Sequence, residues 1–276
     1  MGVLNATPDS FSDGGRFLAP AAAIAHGLRL AAEGASIVDV GGESTRPGSE
    51  PVAQEEELRR VLPVVEGLTA ALAPDAGEGG GGCAISIDTS KSAVARAALE
   101  AGAQIVNDVT ALRGDREMAA VVAESGAECC LVHMLGDTRT MQQDPRYEDV
   151  VDDVKAFLEE RLRSAVSAGV SEERLLLDPG IGFGKTIAHN LELLRRLDEI
   201  VAIGRPVVIG TSRKSFLGRI AAEAAGSSEP VRVEERLPGT LATNVLAYER
   251  GARVFRVHDV GPVRNALAVT AATLAA

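Results

Sequence analysis

The sequence predicts an α/β fold, a single (β/α)8 TIM barrel over residues 1–276 with two long mobile loops after strands 1 and 2. Three observations carry that expectation. Helix-like segments rich in Ala and Leu close on Gly five times, in AEGAS at Ala32, EAGAQ at Glu100, ESGAE at Glu124, SAGVS at Ser167 and ERGAR at Glu249, and each leads into a short β-branched or otherwise apolar run. Eight strand-like runs alternate with helical patterns along 276 residues, a length at which α/β barrels are commonly one domain. Finally, side chains able to do chemistry stand at the C-terminal end of nearly every run. A barrel gathers such residues on one face, whereas the competing architecture, a doubly wound open sheet, would collect them at one switch point.

In chain order the strand candidates are MGVLN, ASIVDVGGEST, AISIDTS, AQIVNDVT, AECCLVHM, RLLLDPGIGF, PVVIGTS and ARVFRVHD. The first has about five residues and nothing before it, so its outer edge is expected to be incompletely covered. Gly34, Gly102, Gly126, Gly169 and Gly251 read as the residues just past helix ends, where positive φ is needed. Val150, Val154, Phe157, Leu158, Arg161, Leu162 and Val166 fall on one face of a 3.6-residue period and predict the clearest helix. Asn5 to Gly15 and Gly42 to Pro51 are polar, rich in Gly and Pro, and longer than ordinary βα connections, which makes them candidate lids. Gly77 to Gly82, GEGGGG, reads as a flexible linker on the opposite side of the barrel.

Composition narrows the function classes. Hydrophobic residues make up 46% and aromatics 3%, with no Trp, so base-stacking surfaces are not expected. A formal net charge of -11 argues against nucleic-acid or anionic-membrane partners, which are bound by releasing counterions to Lys and Arg. No stretch approaches the ~20 apolar residues of a membrane span. The N-terminus lacks the basic and apolar regions of a signal peptide, giving a cytoplasmic protein as the expectation. Cys83, Cys129 and Cys130 have no metal-ligand spacing and read as reduced core thiols.

Against this acidic background, positive charge concentrates at two strand ends, IGTSRKSF (Ile209 to Phe216) and FRVHD (Phe255 to Asp259). An anion site is the natural reading. His26, His133 and His189 have no second His or Cys at ligand spacing and are not zinc-ligand candidates. GIGFG, Gly180 to Gly184, lacks the spacing of a dinucleotide fingerprint. Nor is there a Ser-His-Asp or Cys-His arrangement to supply a nucleophile.

Eight ordered blocks resemble the dihydropteroate synthase family of pterin-binding barrels: LNATPDSFSDGG, VDVGGESTRPG, SIDTSK, VNDV, HMLGDTRTMQ, LDPGIGFGK, GTSRKSFLG and RVHDV. That resemblance implies condensation of 6-hydroxymethyl-7,8-dihydropterin diphosphate with 4-aminobenzoate, in folate biosynthesis, by a homodimeric, Mg2+-dependent enzyme targeted by sulfonamides. Asp88, Asn107 and Asp178 then hold the pterin edge, to which a buried carboxylate is a natural acceptor. Thr45, Arg46, Arg256 and His258 match the family's diphosphate site, and Asn5 matches its Mg2+ ligand, with Asp9 or Asp13 as further candidates. Lys214 matches the lysine at the pterin carbonyl, Ser215 would take the benzoate carboxylate, and Phe183, Phe11 and Pro47 would flank its ring. Asp88, Lys214 and Arg256 are the catalytic candidates for a dissociative, SN1-like substitution. A pterin barrel serving methyl transfer and a non-enzymatic paralogue are the rival readings; the four basic side chains Arg46, Lys214, Arg256 and His258 count against the first.

Overall fold

The structure, a computed structural model, describes residues 1–7, 20–46, 48–72 and 82–276. Asp9, Phe11, Asp13, Pro47 and all of the GEGGGG run except Gly82 lie outside the described residues. Eight strands form, in order β1 (Gly2–Asn5), β2 (Ile37–Gly41), β3 (Ala84–Asp88), β4 (Ile105–Asp108), β5 (Glu128–Val132), β6 (Leu175–Asp178), β7 (Val208–Ile209) and β8 (Val254–Phe255). All eight predicted runs contain one.

Strands β1 to β6 pair in sequence order and in parallel. A bridge between Leu177 and Val207 joins β6 to the β7 run, and β7 pairs with β8. The ring closes where Gly2 bridges Val257 and the Val3 amide donates to the Val257 carbonyl at 2.9 Å. The first strand is therefore paired on both sides, short as it is, and the open-sheet alternative is removed because every strand among the described residues is bridged on both sides.

The helices are α1 (Pro20–Ala32), α2 (Gln54–Leu72), α3 (Ser92–Glu100), α4 (Met118–Ser125), α5 (Val150–Ser167), α6 (Ile187–Arg195), α7 (Leu197–Val201), α8 (Ser215–Ala224), α9 (Leu237–Glu249) and α10 (Val260–Ala275). Gly34, Gly102, Gly126, Gly169 and Gly251 follow α1, α3, α4, α5 and α9 with φ of 101, 110, 66, 98 and 99°. A residue with a Cβ is strained there, so each glycine ends its helix and turns the chain toward the next strand. Helix α5 begins at Asp149, whose side chain accepts from the Val151 and Asp152 amides. It turns Val150, Val154 and Leu158 inward, but Val166 stays 40% exposed and Ala165 is buried instead.

Alternation along the strands separates two layers. Cys129, Leu131, Leu175, Leu177 and Ile209 pack outward in the main core with Leu30, Val61, Val65, Leu68 and Leu158 from the helices. Cys130, Val132, Leu176 and Val208 face the lumen as a small separate cluster. Each fully buried Leu or Ile contributes roughly 1.5–3 kcal/mol. The three cysteines are free thiols; Cys83 is only half-buried rather than a core residue.

Candidate active site

Strand register decides which polar side chains share the lumen. Asn107 pairs with lumen-facing Cys130 and with Asp88, while Asp178 pairs with lumen-facing Val132. Parallel partners point to the same face, so Asp88, Asn107 and Asp178 form an acidic floor at the C-terminal ends of β3, β4 and β6. All three are buried. Burial pushes the Asp178 carboxyl above its ordinary range, opposed by Lys214, the Gly180 amide and Arg256. Asp88 is raised for the same reason, with Arg256 pulling the other way. Two carboxylates and an amide in a desolvated floor suit a ring edge carrying several N–H donors.

The rim above is basic. Arg213, after β7, takes φ 59°, and its guanidinium forms a two-armed pair with Asp259 at 2.6 and 2.9 Å. This turn places Lys214 immediately before α8, where its ammonium donates to the Ile181 carbonyl and lies 4.5 Å from the Phe183 ring centroid. Burial brings half-exposed Lys214 down to about 8, with Asp178 opposing and Arg256 adding to the fall. Arg256, after β8, donates from Nε to Asp39 and from Nη2 to Asp88, both at 2.7 Å. Neither contact uses Nη1.

His258 completes the rim without adding charge. Its amide donates to the Ser212 hydroxyl at 3.1 Å, and the same hydroxyl lies 3.0 Å from His258 Nδ1, so the ring is held in place from one side. Burial, then Arg213 and Arg256, lower its pKa to about 4, and Arg46 acts in the same direction. The sequence counts His258 among positive charges; here it is a neutral N–H donor near pH 7. Thr45 is half-buried, and Arg46 and the Ser215 that opens α8 are exposed. Asn5 ends β1, half-buried beside Gly41. Among the described residues no group of three or more His, Cys, Asp or Glu could hold a metal ion. A single amide oxygen instead suits a cation that takes its remaining oxygens from phosphate and water.

A family model for pterin binding enzymes matches residues 1–258. The dihydropteroate synthase of Escherichia coli K12 is 44% identical over 276 residues, covering 100% of this chain and 92% of that relative. The chain belongs to the dihydropteroate synthase family. Solved Xanthomonas albilineans dihydropteroate synthases superpose closely: one with 4-aminobenzoic acid at TM-score 0.88 and 46% identity, covering 100% and 92% of the two chains, and one with 7,8-dihydropteroate at 0.84 and 43%, covering 100% and 93%.

Sequence reasoning within this dihydropteroate synthase fold passes over several residues that the structure ties to the site. Asp39 is wholly buried under Arg256. Lys185 is also buried; its ammonium donates to His133 Nδ1 at 2.8 Å and to the Phe183 carbonyl at 3.0 Å. Burial lowers Lys185 well below the usual lysine range and takes His133 to about 2. That pair braces the β6 loop, where Gly180, Gly182 and Gly184 all have positive φ and a Cβ on Gly180 would lie 1.8 Å from the His133 carbonyl oxygen. Lys91 joins Glu43 to the wholly buried Glu57 of α2, and Arg60 donates to the Gly42 carbonyl at 2.9 Å, so the root of the β2 loop is laced to α2. His189 caps α6 with Thr186, and His26 lies 3.1 Å from Arg29 on α1.

Proposed function

We propose that this chain, acting as one pterin-binding barrel domain, joins 6-hydroxymethyl-7,8-dihydropterin diphosphate to 4-aminobenzoate, releasing diphosphate and forming 7,8-dihydropteroate. The observation that carries this reading is the pairing of a buried acidic floor with a basic rim across one barrel mouth. Asp88, Asn107 and Asp178 accept and donate along the pterin edge, and Lys214 donates to the pterin carbonyl. Arg46, Arg256, Thr45 and the ring N–H of His258 surround the diphosphate, with Mg2+ held at Asn5 when bound, where it would neutralise developing negative charge.

The bond between the exocyclic methylene carbon and the diphosphate oxygen breaks heterolytically, and its electron pair leaves with the diphosphate. Asp88 stabilises the pterin cation until the 4-aminobenzoate nitrogen attacks and passes a proton to the released diphosphate. Ser215, at the N-terminus of α8, holds the benzoate carboxylate, and Phe183 walls its ring. Exposed Leu246 on α9 and Val269 and Leu274 on α10, two helices that pack together, support a homodimer. No helix among the described residues is long and apolar enough to cross a membrane, in keeping with a cytoplasmic enzyme.

Incubating the protein with the pterin diphosphate, labelled 4-aminobenzoate and Mg2+ tests the proposal: labelled dihydropteroate is the expected product. Its absence, with protein shown to be folded, would reject the assignment.

A further inference from the structure

The carboxylate of Asp39 is fully enclosed beside the site. It sits on β2 with no exposed surface, its Oδ2 accepts from Arg256 Nε at 2.7 Å, and its Oδ1 has no hydrogen-bond partner among the described residues. Ser86, its register partner on β3, is equally buried, and among the described residues its hydroxyl is also unpartnered. Among those residues Asp39 thus has one hydrogen-bond partner, the guanidinium. A buried ion pair built for stability alone tends to satisfy both carboxylate oxygens, because a half-satisfied buried charge is costly.

Arg256 shares its other arm with Asp88. The two carboxylates differ in one respect that matters: Asp88 lies at the end of its strand, facing the mouth, whereas Asp39 lies two residues deeper than Gly41, the register partner of Asp88. Building on the proposed function, we propose that Asp39 is a positioning residue which retains Arg256 when Asp88 is handed over to the pterin. In the structure Arg256 spans both carboxylates. When the pterin edge takes Asp88, Arg256 keeps its Nε contact with Asp39 and turns the freed Nη2, with Nη1, toward the diphosphate. Without Asp39 the guanidinium would settle on Asp88 and compete with the pterin.

Asp39→Asn keeps the size and an acceptor oxygen but removes the charge. The expected result is a rise of about tenfold or more in KM for the pterin diphosphate, a lower kcat, and a KM for 4-aminobenzoate within about twofold of the parent, on the scale of losing a charge-assisted contact. A purely structural role would lower the melting temperature and leave both KM values unchanged in the folded fraction, and that result would overturn the proposal. Calorimetric binding of inorganic diphosphate to parent and variant reads the same effect without turnover. Weaker diphosphate binding by the variant than by the parent, together with a parent that makes no dihydropteroate, would therefore reject the assigned reaction while keeping Asp39's role. Should the variant not fold, the parent crystallised with the pterin diphosphate decides: Arg256 still on Asp39 and released from Asp88 supports the hand-over, and Arg256 still on Asp88 or detached from Asp39 refutes it.

Discussion

The floor and the rim of this barrel mouth use charge in opposite ways. On the floor, Asp88 and Asp178 are buried and their carboxyls are raised by desolvation. On the rim, Arg46 is exposed and Lys214 and Arg256 are half-buried, so the cations keep partial contact with water, as does the neutral ring of His258. A desolvated acceptor discriminates strongly by hydrogen-bond pattern, since a ligand lacking the matching donors leaves it unsatisfied. A hydrated cation discriminates by charge and is screened by salt. On the proposed reading, recognition of the ring and recognition of the leaving group are physically separable, and Arg256, bonded to Asp88 at 2.7 Å, ties rim to floor.

The sharpest way to break this division is at the floor. Asp88→Ala should lower kcat/KM for the pterin diphosphate by on the order of 10³, because it removes both a ring acceptor and the counter-charge to a cation. Steady-state kinetics check this, and a loss below tenfold would take Asp88 out of the chemistry. Arg256→Ala should lower turnover by on the order of 10² or more, concentrated in kcat. Lys214 gives a pH test. Its folded-state pKa is lowered to about 8, so the ammonium is cationic below that value and neutral above it. In the free enzyme, kcat/KM should therefore fall about tenfold per pH unit above ~8, and Lys214→Arg, which stays charged, should remove that alkaline limb. The smallest effect belongs to Asn107→Ala, about tenfold in pterin KM for one or two lost neutral hydrogen bonds.

Much of this is legible in the sequence alone. Helix-ending glycines and apolar runs locate all eight strands, and the strand-end residues Asp88, Asn107, Asp178, Lys214 and Arg256 do converge. What escaped depended on contacts across the barrel. Asp39 sits between Val38 and Val40, and only its partner 217 positions later reveals its charge pairing; a carboxylate alternating with valines on a buried strand was the signal available. Lys185 ends a quoted motif, yet its burial against His133 depends on how the β6 loop folds. The neutrality of His258 follows from burial and neighbouring arginines, which no local pattern encodes. Val166 failed as an inward residue because in the last turn of α5 it is Ala165, on the neighbouring face, that packs into the core.

Separation of floor from rim can be measured most directly by calorimetric binding of two ligands, 6-hydroxymethyl-7,8-dihydropterin and its diphosphate, to Asp178→Asn and Arg46→Ala. The expected result is that Asp178→Asn weakens both ligands by a similar factor, while Arg46→Ala weakens only the diphosphate, about tenfold at low salt. Equal weakening of both ligands by Arg46→Ala, or a loss confined to the diphosphate in Asp178→Asn, would contradict the division.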